Sequence, residues 1–252
     1  MIPYRDENKT QRWAIVTGTI IGLNVCAWIY LQGAGADFPL AKSVCELGLI
    51  PGELTASLPV GTRFPMGPGL LCLTDPGRQY SHLISSMFLH GSWMHLLGNM
   101  WFLWLFGNNV EDSMGRLRFI IFYLLTGLAA AFGQVVTNPN SVIPMVGASG
   151  AISGVMGAYL ILYPRVKVYV LVPIFIFFTS IALPAWMMLG YWFFIQLASG
   201  LLSSGEMGGV AFWAHIGGFV AGIALIKVFA RGEYIQAHRA HQWRPQRLMG
   251  DR

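Results

Sequence analysis

The amino-acid sequence predicts an all-α membrane protein, a bundle of six transmembrane helices with both termini on the cytoplasmic side. Of the 252 residues, 55% are apolar and 11% are charged, with a mean hydropathy of +0.56; soluble domains contain about 25% charged residues. Six apolar stretches are long enough to cross a bilayer, which takes about 17 to 25 residues. The basic residues are also unequally shared between the connecting segments, which is typical of membrane topology.

The six predicted spans form one membrane domain, residues 13–230. A short N-terminal segment, residues 1–12, precedes it, and a basic tail, residues 231–252, follows it and is expected to be flexible. The first apolar stretch is too long for a signal peptide and lacks a clear small-residue cleavage site, so we interpret it as a retained helix. The spans are predicted at residues 13–31, 92–109, 117–136, 147–163, 181–202 and 208–230.

The charge pattern favours six crossings over seven. Residues 166–178, VKVYVLVPIFIFF, are also apolar, but this stretch is short, rich in β-branched and aromatic residues, and interrupted by Pro173. With six crossings and the N-terminus inside, 13 of the 16 Lys and Arg residues lie on the inner side, as the positive-inside rule requires. A seventh crossing would place the basic tail outside. We therefore interpret residues 166–178 as an interfacial or half-buried connection. We expect a bacterial plasma membrane, with an organelle membrane as the alternative.

A long polar connection rich in Gly and Pro, residues 33–80, separates the first two spans. It contains two of the three cysteines, Cys45 and Cys72, whereas Cys26 lies in the first span. Two cysteines in one loop would pair if that loop faces an oxidising compartment. The sequence leaves a disulfide and two free thiols equally open.

Four polar residues fall within predicted spans, where polar side chains are costly and usually face the bundle interior. They are His95, Asn99, Ser149 and His215. His95 and Asn99 are four residues apart in MHLLGN, which places both on one helix face. Taken singly, each residue is explained as well by helix packing and interhelical hydrogen bonds. Six crossings, however, place all four in the outer half of the membrane, and this common depth indicates a site.

Small residues predict close packing of the fourth and sixth spans. Two glycine pairs have the small-xxx-small spacing that lets helices approach closely: Gly150 with Gly154, and Gly218 with Gly222. Such packing would bring Ser149 toward His215.

The four polar residues suggest nucleophilic chemistry. A serine becomes a nucleophile when a base, usually histidine, takes its proton. A carboxylate normally orients that histidine, but none of the 11 acidic residues lies well inside a predicted span. The sequence therefore favours a dyad of Ser149 and His215. The backbone N–H of Ser149 at a helix start, the Asn99 amide and the His95 ring would form an oxyanion hole. The predicted reaction is peptide-bond hydrolysis within the membrane.

At these residues the sequence resembles the rhomboid family of intramembrane serine proteases. The motifs are FLHGSWMHLLGN at residues 88–99, GASG at 147–150 and AHIGGFVAG at 214–222, and residues 183–200, LPAWMMLGYWFFIQLASG, resemble the fifth span of bacterial rhomboids. One motif alone is weak evidence, but their order and spacing together are specific. The resemblance extends over about residues 10–230. It implies a rhomboid-like bundle with Ser149 as nucleophile and His215 as general base.

The resemblance implies further roles. His90 would be a structural residue that supports the loop above it, and Gly147 would permit the tight turn before the nucleophile. Substrates would be transmembrane proteins in the lipid bilayer, cut near its outer face, and the site would open to that face. The fifth span and the loop at residues 203–209 would form the gate. No cofactor, metal or nucleic acid is expected.

Two positions depart from the rhomboid pattern. Many rhomboids have Trp-Arg in the first outer loop, where this chain has Ser81 and His82. Some also have a Tyr one turn after the nucleophile that stacks on the catalytic histidine, and here that position is Ser153. We therefore expect His215 to be held by backbone or by an aromatic side chain of the second or fifth span.

Three other functions compete with this interpretation. The main alternative is a catalytically inactive rhomboid-like scaffold or membrane-protein chaperone, although such a protein is expected to lack the Ser or the His. A transporter or channel would favour intramembrane acids or paired broken helices. A metalloprotease using His90, His95 and His215 would need a nearby carboxylate, and the chain has no HExxH motif.

Overall fold

The structure, a computed structural model, describes residues 2–67, 70–174, 177–202 and 210–242. Most of these residues are helical. The helices are α1 (Ile15–Tyr30), α2 (Asp37–Leu47), α3 (Pro51–Leu54), α4 (His82–Ser85), α5 (Trp93–Phe102), α6 (Asn108–Met114), α7 (Arg116–Thr137), α8 (Ser149–Leu162), α9 (Ala185–Leu202), α10 (Phe212–Phe229) and α11 (Gly232–Gln242). Short 3-10 turns occur at Gly33–Gly35 and Ser86–Phe88, and a π-helical segment, Leu103–Gly107, joins α5 to α6.

The prediction of a mostly helical membrane protein is confirmed. Among the described helices, α7, α9 and α10 are long and apolar enough to cross a membrane, and α1 and α8 are apolar but shorter. The second predicted span is one continuous run made of α5, the π-helical segment and α6. The number of crossings and the side of each terminus stay predictions.

The prediction that all regular structure is helical is wrong, because two antiparallel sheets lie in the connecting segments. In the first, β1 (Ile2–Asp6), β4 (Lys167–Ile174) and β5 (Phe177–Pro184) lie in the order β1–β4–β5. The apolar run at residues 166–178 thus belongs to a β-hairpin, a conformation that β-branched and aromatic residues favour. Because β5 continues to Pro184, the fifth span is helical only from Ala185, and not from residue 181.

The long connection between the first two spans has its own structure. It contains α2, α3 and a second hairpin of β2 (Arg63–Gly67) and β3 (Leu70–Leu73). Cys45 in α2 and Cys72 in β3 form a disulfide, which answers the question that the sequence left open. Cys72 also packs with Ile50 and Phe64 in a small apolar cluster separate from the main core.

Backbone hydrogen bonds attach this loop to the segment that leads into α8. Leu49 and Met145 exchange N–H···O bonds of 3.0 and 2.8 Å. The N–H of Gly52 donates to the carbonyl of Ser141 at 3.0 Å. The disulfide-linked loop therefore supports the chain just before Ser149.

The main core surrounds α8, in which every residue from Gly150 to Tyr159 is buried. The neighbouring helices α7 and α10 contribute buried aromatic rings, among them Phe122 and Phe219. Because these residues are enclosed on all sides, packing within the bundle sets the position of this part of α8.

The C-terminal tail contains regular structure, as residues 232–242 form α11. This helix is held to the bundle where the N–H of Arg231 donates to the carbonyl of Ser113 at 3.0 Å. The guanidinium of Arg12 also lies 3.7 Å from the ring centre of Tyr234. The flexibility expected for the tail stays a prediction, and residues 243–252 lie outside the described part.

A buried carboxylate of α6, just after the second predicted span, caps the start of α1. The N-cap residue, Ala14, makes no side-chain capping bond. Instead Glu111, which is 3% exposed, accepts hydrogen bonds from the N–H groups of Val16 and Thr17 at 3.0 and 2.8 Å and from the Thr17 hydroxyl at 2.8 Å. A helix start otherwise lacks partners for its first N–H groups, so Glu111 fixes α1 to the rest of the bundle.

Replacing this cap should destabilise the fold. In Glu111→Ala, three donors at the start of α1 lose their partner, and we expect a loss of about 3 kcal/mol, since one unsatisfied buried group costs about 1–3 kcal/mol. The measurement is the melting temperature in detergent. Glu46→Ala is the control, because the Glu46–Lys42 pair is more than half exposed at both ends and should contribute less than about 1 kcal/mol. Equal melting temperatures for both variants would contradict the capping role.

Candidate active site

Ser149 is the first residue of α8 and is presented by a strained turn. Gly147, two residues earlier, has φ of 125°, a conformation that other residues avoid. Its N–H donates to the carbonyl of Ser86 at 2.9 Å, which holds the turn in place. The first N–H groups of a helix have no intrahelical partner, so the backbone around Ser149 presents free donors.

Glycines bring α8 and α10 into backbone contact. A Cβ atom added at Gly218 would collide with the carbonyl of Gly150, and one added at Gly222 would collide with the carbonyl of Gly154. The structure thus pairs the four glycines that the sequence analysis singled out, and no larger side chain fits between the two helices at these positions.

This contact places Ser149 beside His215. The Oγ of Ser149 lies 2.8 Å from Nε2 of His215, although the two residues are 66 positions apart. This is hydrogen-bond distance for a nucleophile and its base.

The other face of His215 contacts α9. Its Nδ1 lies 2.8 Å from Oε1 of Gln196, and the ring of Trp192 packs against the imidazole with centroids 5.8 Å apart. An aromatic residue of the fifth span therefore contacts His215, which is one of the two arrangements expected. Ser153 takes no part, because its hydroxyl donates to the carbonyl of Ser149 at 2.6 Å.

Sequence reasoning missed Gln196, although the sequence contained a signal. Gln196 is an amide within the apolar run LGYWFFIQL and lies four residues after Trp192. Residues at that spacing share one helix face, so an aromatic ring and an amide on the same side of the fifth span could have been read as a pair.

His95 and Asn99 lie on the opposite wall of the site. The N–H of Gly91 donates to Nδ1 of His95 at 3.3 Å, and a neutral imidazole that accepts at Nδ1 carries its proton on Nε2. A Cβ atom added at Gly147 would lie 2.8 Å from this Nε2, so the donor faces the turn before Ser149. The Nδ2 of Asn99 is buried and has no hydrogen-bond partner among the described residues.

These side chains line a single cavity of about 690 Å³. Its wall includes Ser149, His215, His95, Asn99 and Trp192, together with apolar residues of α5 and α7. The cavity therefore combines a hydroxyl, two imidazoles and a buried amide within a largely apolar wall.

His90 is fully buried beneath this site. The side chain of Gln32 accepts from the His90 N–H at 2.8 Å and donates to its carbonyl at 2.7 Å. The His90 ring packs edge to face against His95, with centroids 5.1 Å apart. His90 thus supports the wall that carries His95 and does not line the cavity itself.

The Ser81–His82 departure is accommodated by other contacts. His82 is buried, with 6% of its surface exposed, and burial lowers the pKa of its imidazole. The nearby Ser85 hydroxyl donates to the carbonyl of Leu47 at 2.7 Å. The Ser85 hydroxyl therefore attaches this segment to the end of α2, and His82 is buried close to that attachment.

The helix predicted as the gate contributes two residues to the site. The start of α9 is fixed to the segment between α8 and β4, as the N–H groups of Ala185 and Trp186 donate to the carbonyls of Val166 and Pro164 at 2.8 and 3.0 Å. The second part of the predicted gate, residues 203–209, lies outside the described residues.

The histidines do not form a metal-ligand cluster. Within the described ranges, no group of three or more His, Cys, Asp or Glu side chains converges as metal ligands do. The arrangement is that of a hydroxyl, an imidazole and hydrogen-bond donors.

Comparison with known proteins finds one family. The model of the Rhomboid domain matches residues 77–232. RHOMBOID-like protein 5 of Arabidopsis thaliana is 30% identical, over 49% of this chain and 43% of that protein. Rhomboid-like protease 5 of Toxoplasma gondii is 32% identical, over 60% of this chain and 16% of that protein. Presenilin-associated rhomboid-like protein A, mitochondrial, of Danio rerio is 34% identical, over 41% of this chain and 28% of that protein. The matches span less than half the length of each of these relatives.

The glycine contact between α8 and α10 generates a test. Gly218→Ala should force the two helices apart and lengthen the distance between Ser149 and His215, because the new methyl group would meet the Gly150 backbone. We expect a fall in melting temperature and in serine reactivity, measured in detergent with a serine-reactive probe. Gly190→Ala on α9 is the control, since a Cβ there meets nothing within 4 Å. Equal effects of the two substitutions would argue against the contact.

Proposed function

As the chain belongs to the rhomboid family, we propose that it is a serine endopeptidase that hydrolyses peptide bonds in or near transmembrane segments of membrane proteins. The observation that carries the proposal is the 2.8 Å distance between Ser149 Oγ and His215 Nε2. Two of the three relatives above have rhomboid-like in their names without the word protease, so the proposal depends on this geometry as much as on the family.

The first half of the reaction would form an ester with Ser149. His215 Nε2 takes the hydroxyl proton as Oγ attacks the carbonyl carbon of the scissile bond. A bond forms between Oγ and carbon, and the carbonyl electrons move onto oxygen. As the C–N bond breaks, His215 returns the proton to the leaving amine.

The second half would release the acyl group. His215 takes a proton from a water molecule, which attacks the ester carbon. The tetrahedral intermediate collapses, Oγ leaves and recovers its proton from His215, and the new carboxyl end departs. Ser149 and His215 return to their starting states, so no cofactor is needed.

Three donors would stabilise the oxyanion in both halves. They are the backbone N–H of Ser149, Nδ2 of Asn99 and Nε2 of His95. The Asn99 amide supports this role because it is a buried donor without a partner among the described residues, and leaving such a group unmatched costs free energy. An oxyanion would supply the missing acceptor in the transition state.

The substrates and the membrane are part of the proposal. The cavity sits within a bundle of apolar helices, so a peptide bond that reaches Ser149 would come from a transmembrane segment. We place the protein in a bacterial plasma membrane with its site open to the outer face. The Cys45–Cys72 disulfide supports this orientation, because disulfides persist in oxidising compartments and the linked loop adjoins the site.

The dyad is tested by labelling the purified protein with a fluorophosphonate probe, which reacts with an activated serine and requires no known substrate. We expect labelling at Ser149 that is abolished in both Ser149→Ala and His215→Ala, with unchanged melting temperatures. Absence of labelling in a folded wild-type protein, checked with a small and a large probe, would favour the inactive scaffold or chaperone.

The oxyanion role of Asn99 predicts a partial loss. Asn99→Ala should reduce the rate of cleavage of a transmembrane substrate about 10²- to 10³-fold, which is the cost of one lost oxyanion donor in a soluble serine protease. The loss should fall on kcat, since the donor acts on the transition state. A change confined to KM would instead assign Asn99 to substrate binding.

A further inference from the structure

A glutamine on α9 completes a chain of hydrogen bonds that ends at the nucleophile. Gln196 is 8% exposed, and its Oε1 lies 2.8 Å from Nδ1 of His215. On the other side of the ring, Nε2 lies 2.8 Å from Ser149 Oγ. The three side chains come from α9, α10 and α8, so each helix of this part of the bundle supplies one.

The amide oxygen determines which nitrogen of His215 carries the proton. An oxygen acceptor at Nδ1 requires Nδ1–H, and in a neutral imidazole this leaves the lone pair on Nε2. Only that form accepts the proton of Ser149. The opposite form would direct N–H at Oγ and could not act as a base, which is why the orienting residue of a soluble triad is needed for rate.

A neutral amide suits this position better than a carboxylate. The residue lies in a span whose other side chains are almost all apolar, and an ionised side chain at such a depth costs several kcal/mol. The amide oxygen accepts the same hydrogen bond without a buried charge. The absence of an acidic residue from the spans therefore does not leave His215 without an orienting acceptor.

Packing between α9 and α10 holds the Gln196 amide beside His215. Trp192, one turn before Gln196, contacts both His215 and Phe219. One turn after it, a Cβ atom added at Gly200 would lie 3.4 Å from the Cβ of Phe212, so α9 lies close against α10 there. The hydrogen bond to His215 forms only when this part of α9 is seated on α10.

We propose that Gln196 is a positioning residue that holds His215 in the form with a proton on Nδ1, the form that can accept the proton of Ser149. This inference rests on the proposed function for its effect on rate, but not for its effect on the imidazole.

The first measurement is the tautomer of His215 in the wild-type protein, read from ¹⁵N spectra of histidine-labelled protein in detergent micelles at neutral pH. The signal is assigned by its loss in His215→Ala. We expect a proton on Nδ1 and a bare Nε2. A proton on Nε2 would overturn the proposal without any variant.

The second measurement is the rate of fluorophosphonate labelling in Gln196→Met, which keeps the length of the side chain and removes the acceptor. We expect labelling to slow at least about 10-fold, which corresponds to the loss of one hydrogen bond of about 1.4 kcal/mol. We also expect the Nδ1–H tautomer of His215 to be no longer more populated than the Nε2–H tautomer. Phe194→Leu is the control, because Phe194 lies on the same helix and is 63% exposed. It should label at the wild-type rate.

Restoring an acceptor should restore function. Gln196→Glu returns an oxygen to His215, so we expect it to label faster than Gln196→Met. Its carboxylate would also stabilise the protonated imidazole, so the acid limb of its pH–rate profile should move to higher pH. The imidazole of His95 faces the same cavity and is unchanged in all variants. If Gln196 has only a structural role, neither the tautomer of His215 nor the pH–rate profile of labelling should change.

The outcomes separate this proposal from the proposed function. Wild-type labelling together with an equally fast, folded Gln196→Met overturns the role of Gln196 and leaves the protease proposal intact. If the wild-type protein is not labelled, the protease proposal fails, and the spectra of wild type and Gln196→Met alone decide whether Gln196 sets the tautomer.

Discussion

Direct backbone contact between α8 and α10 is the constraint on which the rest of the structure depends. Within a bilayer the hydrophobic effect does not drive helices together, and association relies on close packing and interhelical hydrogen bonds. Gly218 and Gly222 meet the carbonyls of Gly150 and Gly154, so α8 and α10 approach as closely as their backbones allow. The 2.8 Å separation of Ser149 Oγ and His215 Nε2 follows from this approach, because one residue lies at the start of each helix.

The second constraint acts on the segment before α8. Backbone geometry at Gly147 requires a positive φ, and neighbouring chain segments hold the turn through Ser86 and through the exchange between Leu49 and Met145. The long loop that makes this exchange is closed by a disulfide. A loop that sequence reasoning treats as a connection thus serves as part of the support for the nucleophile.

The membrane also restricts which residues can orient the base. A carboxylate is expensive at this depth. The buried carboxylate of Glu111 lies instead where α1 begins and is matched by three donors. Around His215 the contacts are a neutral amide and an indole ring, both from α9. The β1–β4–β5 sheet ends where α9 begins, so the helix that contacts His215 is fixed at one end by a sheet outside the bundle.

By itself the sequence determined the features that depend on residues close together in the chain. Hydropathy identified a membrane protein of mostly helical structure and marked His95, Asn99, Ser149 and His215 as polar residues within predicted spans, and local spacing identified the paired glycines. Only the tertiary structure decided contacts between distant segments. It paired Cys45 with Cys72, joined β1 to β4 across more than 160 residues, and set Gln196 against His215. Composition could not distinguish a strand from an interfacial segment at residues 166–178, because an apolar, β-branched run suits both until a partner strand is known. Nor could helix periodicity reveal which face of α9 meets α10, because nearly every residue of that helix is apolar.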